Sequence, residues 1–148
     1  MVMAPVWRRT GGELTSRDYQ TLAQFRRRLR AFVHFSEAQA RRQGLTPQQH
    51  QLLLAVRGMP DREWATIGEL SDFLQLKNHS VVGLVNRAVS LGLVSRRPSS
   101  DDHRVTQIYL TAQGEAILEA LSVAHKEELR RISGEIRQLL KVLEDGEP

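Results

Sequence analysis

Asp102-His103-Arg104-Val105-Thr106-Gln107-Ile108-Tyr109-Leu110-Thr111-Ala112-Gln113-Gly114 is the stretch on which the fold turns. Its first part reads as the far side of a hairpin. Pro98-Ser99-Ser100-Asp101-Asp102-His103 is crowded with turn formers, and Arg104 to Leu110 is extended, with β-formers Val105, Thr106, Ile108 and Tyr109. Leu93 to Arg97 supplies the near strand. The end of the stretch opens a helix, with Thr111 as its cap.

Working upstream, two short helices precede the hairpin. Thr66-Ile67-Gly68-Glu69 is a capping box, in which the Thr hydroxyl and the Glu carboxylate each take a free backbone N–H, and it opens a helix through Leu74. Gln75-Leu76-Lys77 is the turn. Asn78 is the expected N-cap of the next helix, which ends at Gly92. Val81, Leu84, Val85, Ala88 and Leu91 form its inner face, and His79, Val82, Gly83 and Asn86 its outer face. Thr46-Pro47-Gln48-Gln49 caps an earlier helix that runs to about Arg57, with Leu52, Leu53 and Val56 turned inward.

Long helices flank this centre. From about Asp18 to Arg42, apolar residues recur at steps of three and four: Tyr19, Leu22, Phe25, Leu29, Phe32 and Val33. Gly44 ends that helix. Beyond Thr111, the apolar positions are Ile117, Leu118, Leu121, Ala124 and Leu129. Ser133-Gly134 is expected to break the helix there, leaving a short sixth one with Ile136, Leu139, Leu140 and Leu143. Residues 1–15 have no periodicity and read as a mobile N-terminal arm, and Asp145 to Pro148 as a fraying end.

The chain has 148 residues, 41% apolar and 26% charged, an ordinary globular balance for one domain with helical extensions. It has no cysteine, which removes disulfides, thiolate metal sites and cysteine nucleophiles, and fits a reducing cytoplasm. No apolar stretch is long enough to span a bilayer and Met1 to Arg9 lack the apolar h-region of a signal peptide, so no membrane partner is expected. The net charge of +4 is uneven: +7 over residues 1–58, zero over 59–110 and −3 over 111–148. The pI of 10.1 points to a polyanionic partner. The five histidines share no metal-ligand spacing, and no phosphate-cradling glycine motif or nucleophile elbow occurs, so the reading includes no enzyme activity, cofactor, metal or catalytic residue.

Helix, turn, helix and hairpin in this order make a winged helix-turn-helix. The second helix fits a major groove about 12 Å wide, and the hairpin tip reaches the backbone or minor groove. The fold class expected is therefore mainly α with a small β-hairpin wing, plus a helical dimerisation region.

The quoted stretch resembles the wing signature of the MarR family of bacterial transcriptional regulators: Asp-x-Arg, five residues, then Leu-Thr-x-x-Gly. The Gly92-Leu93-Val94 exit and the Leu45-Thr46-x-x-Gln49 opening resemble the family too. The resemblance covers about residues 18–145. It implies a homodimer in which N- and C-terminal helices of two subunits interdigitate, with residues 18–45 and 111–146 as the dimerisation region and 46–110 as the DNA-binding domain. It also implies a cytoplasmic repressor on a palindromic double-stranded operator. Release would be by a small, anionic aromatic ligand bound between the dimer helices and the winged part, near Arg30, His34 and Trp64.

The expected DNA contacts are Lys77, Asn78, His79, Ser80, Val82, Gly83, Asn86 and Arg87 on or beside the second helix, and Arg96, Arg97, Ser99, Ser100, Asp102, His103 and Arg104 in the wing. Arg104 enters the minor groove with Asp102 bracing its guanidinium. Arg87, off the outer face, serves phosphate. Many relatives resemble one another in having Thr-Arg where this chain has Val82-Gly83, so readout shifts toward the wing and DNA shape. His103 similarly stands where relatives resemble one another in having Arg. The competing reading is a winged-helix module that binds an acidic protein.

Overall fold

The computed structural model describes residues 13–145, and most of the expected arm lies outside the described residues. The elements are α1 (Ser16–Arg42), α2 (Pro47–Arg57), β1 (Trp64–Thr66), α3 (Ile67–Leu74), α4 (Asn78–Ser90), β2 (Val94–Pro98), β3 (Thr106–Leu110) and α5 (Ala112–Asp145). The chain divides into two compact units. One is Phe35–Glu127; the other joins the stretch up to His34 with the stretch from Glu128 onward.

Within the Phe35–Glu127 unit, local chemistry fixes the helix starts. Both capping boxes form as the sequence dictates. The Thr46 hydroxyl accepts from the Gln49 amide at 3.2 Å while the Gln49 side chain accepts from the Thr46 amide at 3.0 Å. Thr66 and Glu69 repeat the arrangement at 3.2 and 3.1 Å. Leu52, Leu53, Val56, Leu70, Val81 and Val85 bury completely between α2, α3 and α4. Each such side chain stabilises the fold by about 1.5–3 kcal/mol.

The wing is a three-stranded antiparallel sheet in the order β1-β3-β2. Trp64 pairs with Tyr109 and Ala65 with Ile108, so β1 adds a strand to the expected hairpin. Three residues are too few to show alternation, and the strand exists only because β3 offers it a free edge. Ala65 and Ile108 turn inward and are fully buried. The other face carries Trp64 and Tyr109, with the Arg62 guanidinium 4.3 Å from the Trp64 ring centre and Arg97 4.4 Å from that of Tyr109.

Three further expectations are corrected. Asn78 is the first residue of α4, not its cap; Lys77 stands at the cap without a side-chain bond. Leu91 follows the last turn of α4 and is exposed, because Gly92 at φ 72° turns the chain away. Ser133-Gly134 does not break α5, which runs unbroken for 34 residues. Glycine costs a helix interior about 1 kcal/mol. Beside it Ile132 is buried, and Arg28 Nε donates to Glu135 at 2.7 Å. Burial of Ile132 outweighs the glycine.

Candidate nucleic-acid interface

Helix α4 is held by its buried face. Val81, Leu84, Val85 and Ala88 pack inward, which leaves His79, Ser80, Val82, Asn86 and Arg87 exposed and Gly83 half-buried on the outer side. The turn before it closes through Gln75, which adopts the left-handed conformation, and through the Ser71 hydroxyl, which donates to the Leu76 carbonyl. Lys77 and Asn78 stand exposed at the start of α4.

Helix α4 and the wing are tied together. Arg96 on β2 donates to the Asn86 side-chain oxygen on α4. Two residues expected to meet DNA separately thus form one link, a contact that spacing along the chain does not reveal. Arg87 folds along α4, its Nη1 3.4 Å from where a side chain on Gly83 would begin.

At the wing tip the Ser99 amide donates to the Val105 carbonyl and the Val105 amide to the Asp102 carbonyl, each at 2.9 Å. Ser99 is buried, and its hydroxyl accepts from the Asp101 amide at 3.3 Å, so it serves the turn. Ser100 and His103 remain exposed. Asp102 accepts from Arg104 three times: from its amide at 3.0 Å, from Nε at 3.1 Å and from Nη2 at 3.3 Å. Those bonds hold the Asp102 carboxyl below its ordinary pKa, with the Arg104 side chain the largest cause. The brace leaves 89% of the Arg104 side chain exposed, so its orientation is fixed while its far edge stays free.

The expected ligand residues lie on two elements. Arg30 and His34 are exposed on α1 and belong to the unit that ends at His34. Trp64 lies on β1 of the other unit, under Arg62, which Glu69 holds through a two-pronged pair. Burial pushes the Glu69 carboxyl up, but bonds from Thr66 and Arg62 outweigh it and leave its pKa lowered. No group of three metal-ligating side chains occurs among the described residues.

A pair of imidazoles, His50 buried and His125 half-buried, lies within the Phe35–Glu127 unit. The rings of His50 and His125 are 4.8 Å apart, and Phe35 meets His125 edge-on at 5.4 Å. His125 Nδ1 lies 2.6 Å from the Leu121 carbonyl and must donate to it; Nε2 faces the Ser36 hydroxyl at 2.8 Å. Burial, aided by the His125 charge, pushes His50 below its ordinary 6.5. Between 6.5 and the lowered value the unfolded chain therefore binds more protons than the folded one, and stability falls as pH drops through that interval. Melting temperature is expected to decrease from about pH 8 to about pH 5.5, and His50→Gln to flatten that decrease. An equally steep pH dependence in the variant contradicts this.

The model of the MarR family matches residues 43–105, which span α2 to the wing tip. Among solved structures, that of a MarR family transcription regulator superposes with a TM-score of 0.70 at 27% identity, covering 84% of each chain. Residues 43–105 thus match the MarR family, and the chain shares the winged helix-turn-helix fold of these regulators. AbsC of Streptomyces coelicolor, a MarR family transcriptional regulator, shares the fold at 18% identity with a TM-score of 0.67, over 82% of this chain and 81% of its own. A variant of MepR from S. aureus, solved bound to an oligodeoxyribonucleotide, shares it at 20% identity with a TM-score of 0.64, over 90% and 96%. No curated protein matches the chain significantly. The MarR-family matches are to transcription regulators rather than enzymes. No helix among the described residues is long and apolar enough to cross a membrane.

Proposed function

We propose that the protein is a dimeric, sequence-selective, DNA-binding repressor of the cytoplasm. The exposed, pre-aimed guanidinium of Arg104 carries this reading, because it projects from a wing that Arg96 and Asn86 tie to the bare outer face of α4. A braced cation beside a rigid helix suits a narrow minor groove next to an occupied major groove. Lys77, Arg97 and His103 supply further donors along the same elements. The oligonucleotide bound by the MepR variant supports the same reading.

The α1 stripe supports a two-fold dimer. Tyr19 is 61% exposed and Leu22 48%, with Leu29 and Val33 continuing the row, and Leu129, Leu140 and Leu143 lie exposed on α5. Apolar rows of this length call for a partner. A two-fold dimer reads a palindrome with half-sites about 10 bp apart and blocks a promoter by occupying it. Release by a small anionic ligand belongs to the same reading.

The test is fluorescence anisotropy with a selected duplex. Arg104→Ala is expected to weaken binding by about 1–3 kcal/mol, roughly 5- to 150-fold, and to leave dimerisation unchanged. Unaltered duplex affinity contradicts the wing assignment. Capture of an acidic protein with no duplex binding supports the competing interaction-module reading instead.

A further inference from the structure

Arg87 stands one helical turn beyond Gly83, and its side chain folds toward the helix N-terminus as long helical side chains do. Its Nη1 lies 3.4 Å from the point where a Cβ on residue 83 would sit. The guanidinium therefore rests against the outer face of α4, over the place where Gly83 leaves no side chain. Its Cα alone would direct it to the flank, where the sequence suggests a phosphate contact.

Two further observations single out this cation. No ion pair or hydrogen bond engages the Arg87 side chain among the described residues, whereas Arg96 is committed to Asn86 and Arg104 to Asp102. Asn86 is correspondingly withdrawn from base reading. Of the outer-face residues, His79, Ser80 and Val82 present no planar double donor. A guanidinium presents two parallel N–H groups that match the O6 and N7 acceptors of guanine.

We propose that Arg87, seated over Gly83, reads a guanine in the major groove and is the specificity-determining residue of α4. The proposal rests on the duplex-DNA reading above. It assigns base discrimination to the reading helix, which the missing side chain at position 83 would otherwise leave without an arginine.

The experiment is selection from a randomised duplex pool, run in parallel with the wild-type protein, Arg87→Lys and Arg87→Ala. Lysine keeps the charge but loses the two-pronged geometry, so it separates base reading from backbone attraction. The wild type is expected to enrich a symmetric site with one fixed guanine in each half. Both variants are expected to enrich the same site with that position degenerate. On paired duplexes with and without the guanine, the wild type should discriminate by about 5- to 150-fold and each variant by less than about threefold. Variants that retain the fixed guanine overturn the proposal and reduce Arg87 to a backbone contact. A wild-type protein that enriches no site overturns the duplex reading itself and this proposal with it, and so marks the two failures apart. Because Arg87 is exposed, unchanged melting temperatures confirm that the variants are folded.

Discussion

Gly114→Ala is expected to lower the melting temperature by roughly 6–12 °C, from a loss of about 3 kcal/mol or more. A Cβ at position 114 would stand 2.1 Å from the Leu93 carbonyl oxygen. That oxygen cannot retreat. It accepts from the Thr111 amide at 3.0 Å, and the Leu93 amide is itself held by the Ala88 carbonyl at 2.9 Å. Thr111 meanwhile donates to the Gly92 carbonyl and accepts from the Gly114 amide, at 2.6 and 3.0 Å. The exit of α4, the base of β2 and the first turn of α5 are thus clamped at one point, and the glycine lets the two backbones touch. Gly134 gives the contrast. It lies exposed within α5 with nothing within 4 Å of its Cβ position, so Gly134→Ala should raise stability by about 0.5–1 kcal/mol. Thermal melts of the two variants check both signs; a Gly114→Ala protein as stable as the wild type contradicts the clamp.

Leu22→Glu is expected to abolish the dimer while sparing the fold of each subunit. The side chain is half-exposed in one chain, so a carboxylate there remains hydrated in the monomer. In the proposed dimer each symmetric interface loses two buried leucines, about 1.5–3 kcal/mol each, and must desolvate two charges besides. The dimer dissociation constant should rise by at least about 100-fold. Operator affinity should fall with it, because a lone subunit grips one half-site. Sedimentation equilibrium gives the constant; a variant that pairs as tightly as the wild type removes α1 from the interface.

What the sequence discloses here is mostly local. The boxes at Thr46–Gln49 and Thr66–Glu69 are legible because each pair of bonds closes within three residues. The Asp102–Arg104 brace and the Thr111–Gly114 turn are legible for the same reason. β1 escapes because its only reason to be a strand is a partner far along the chain, at Gln107–Tyr109. The continuity of α5 through Ser133-Gly134 is hidden because the burial of Ile132 that offsets the glycine is tertiary. At the interface, exposure of the outer α4 residues follows from periodicity. That Asn86 is bound to Arg96, and that Arg87 lies over Gly83, depend on side-chain directions that periodicity does not specify. The His50–His125 contact is of the same kind, since shared spacing does not bring those rings together.

The central claim is that two joined subunits grip duplex DNA through their cations, and the affinity for a selected duplex across a salt series tests it most directly. With about three phosphate contacts from each subunit, the logarithm of the binding constant should fall linearly with the logarithm of salt concentration, at a slope near about −5. A binding constant that does not change between low and moderate salt contradicts the account.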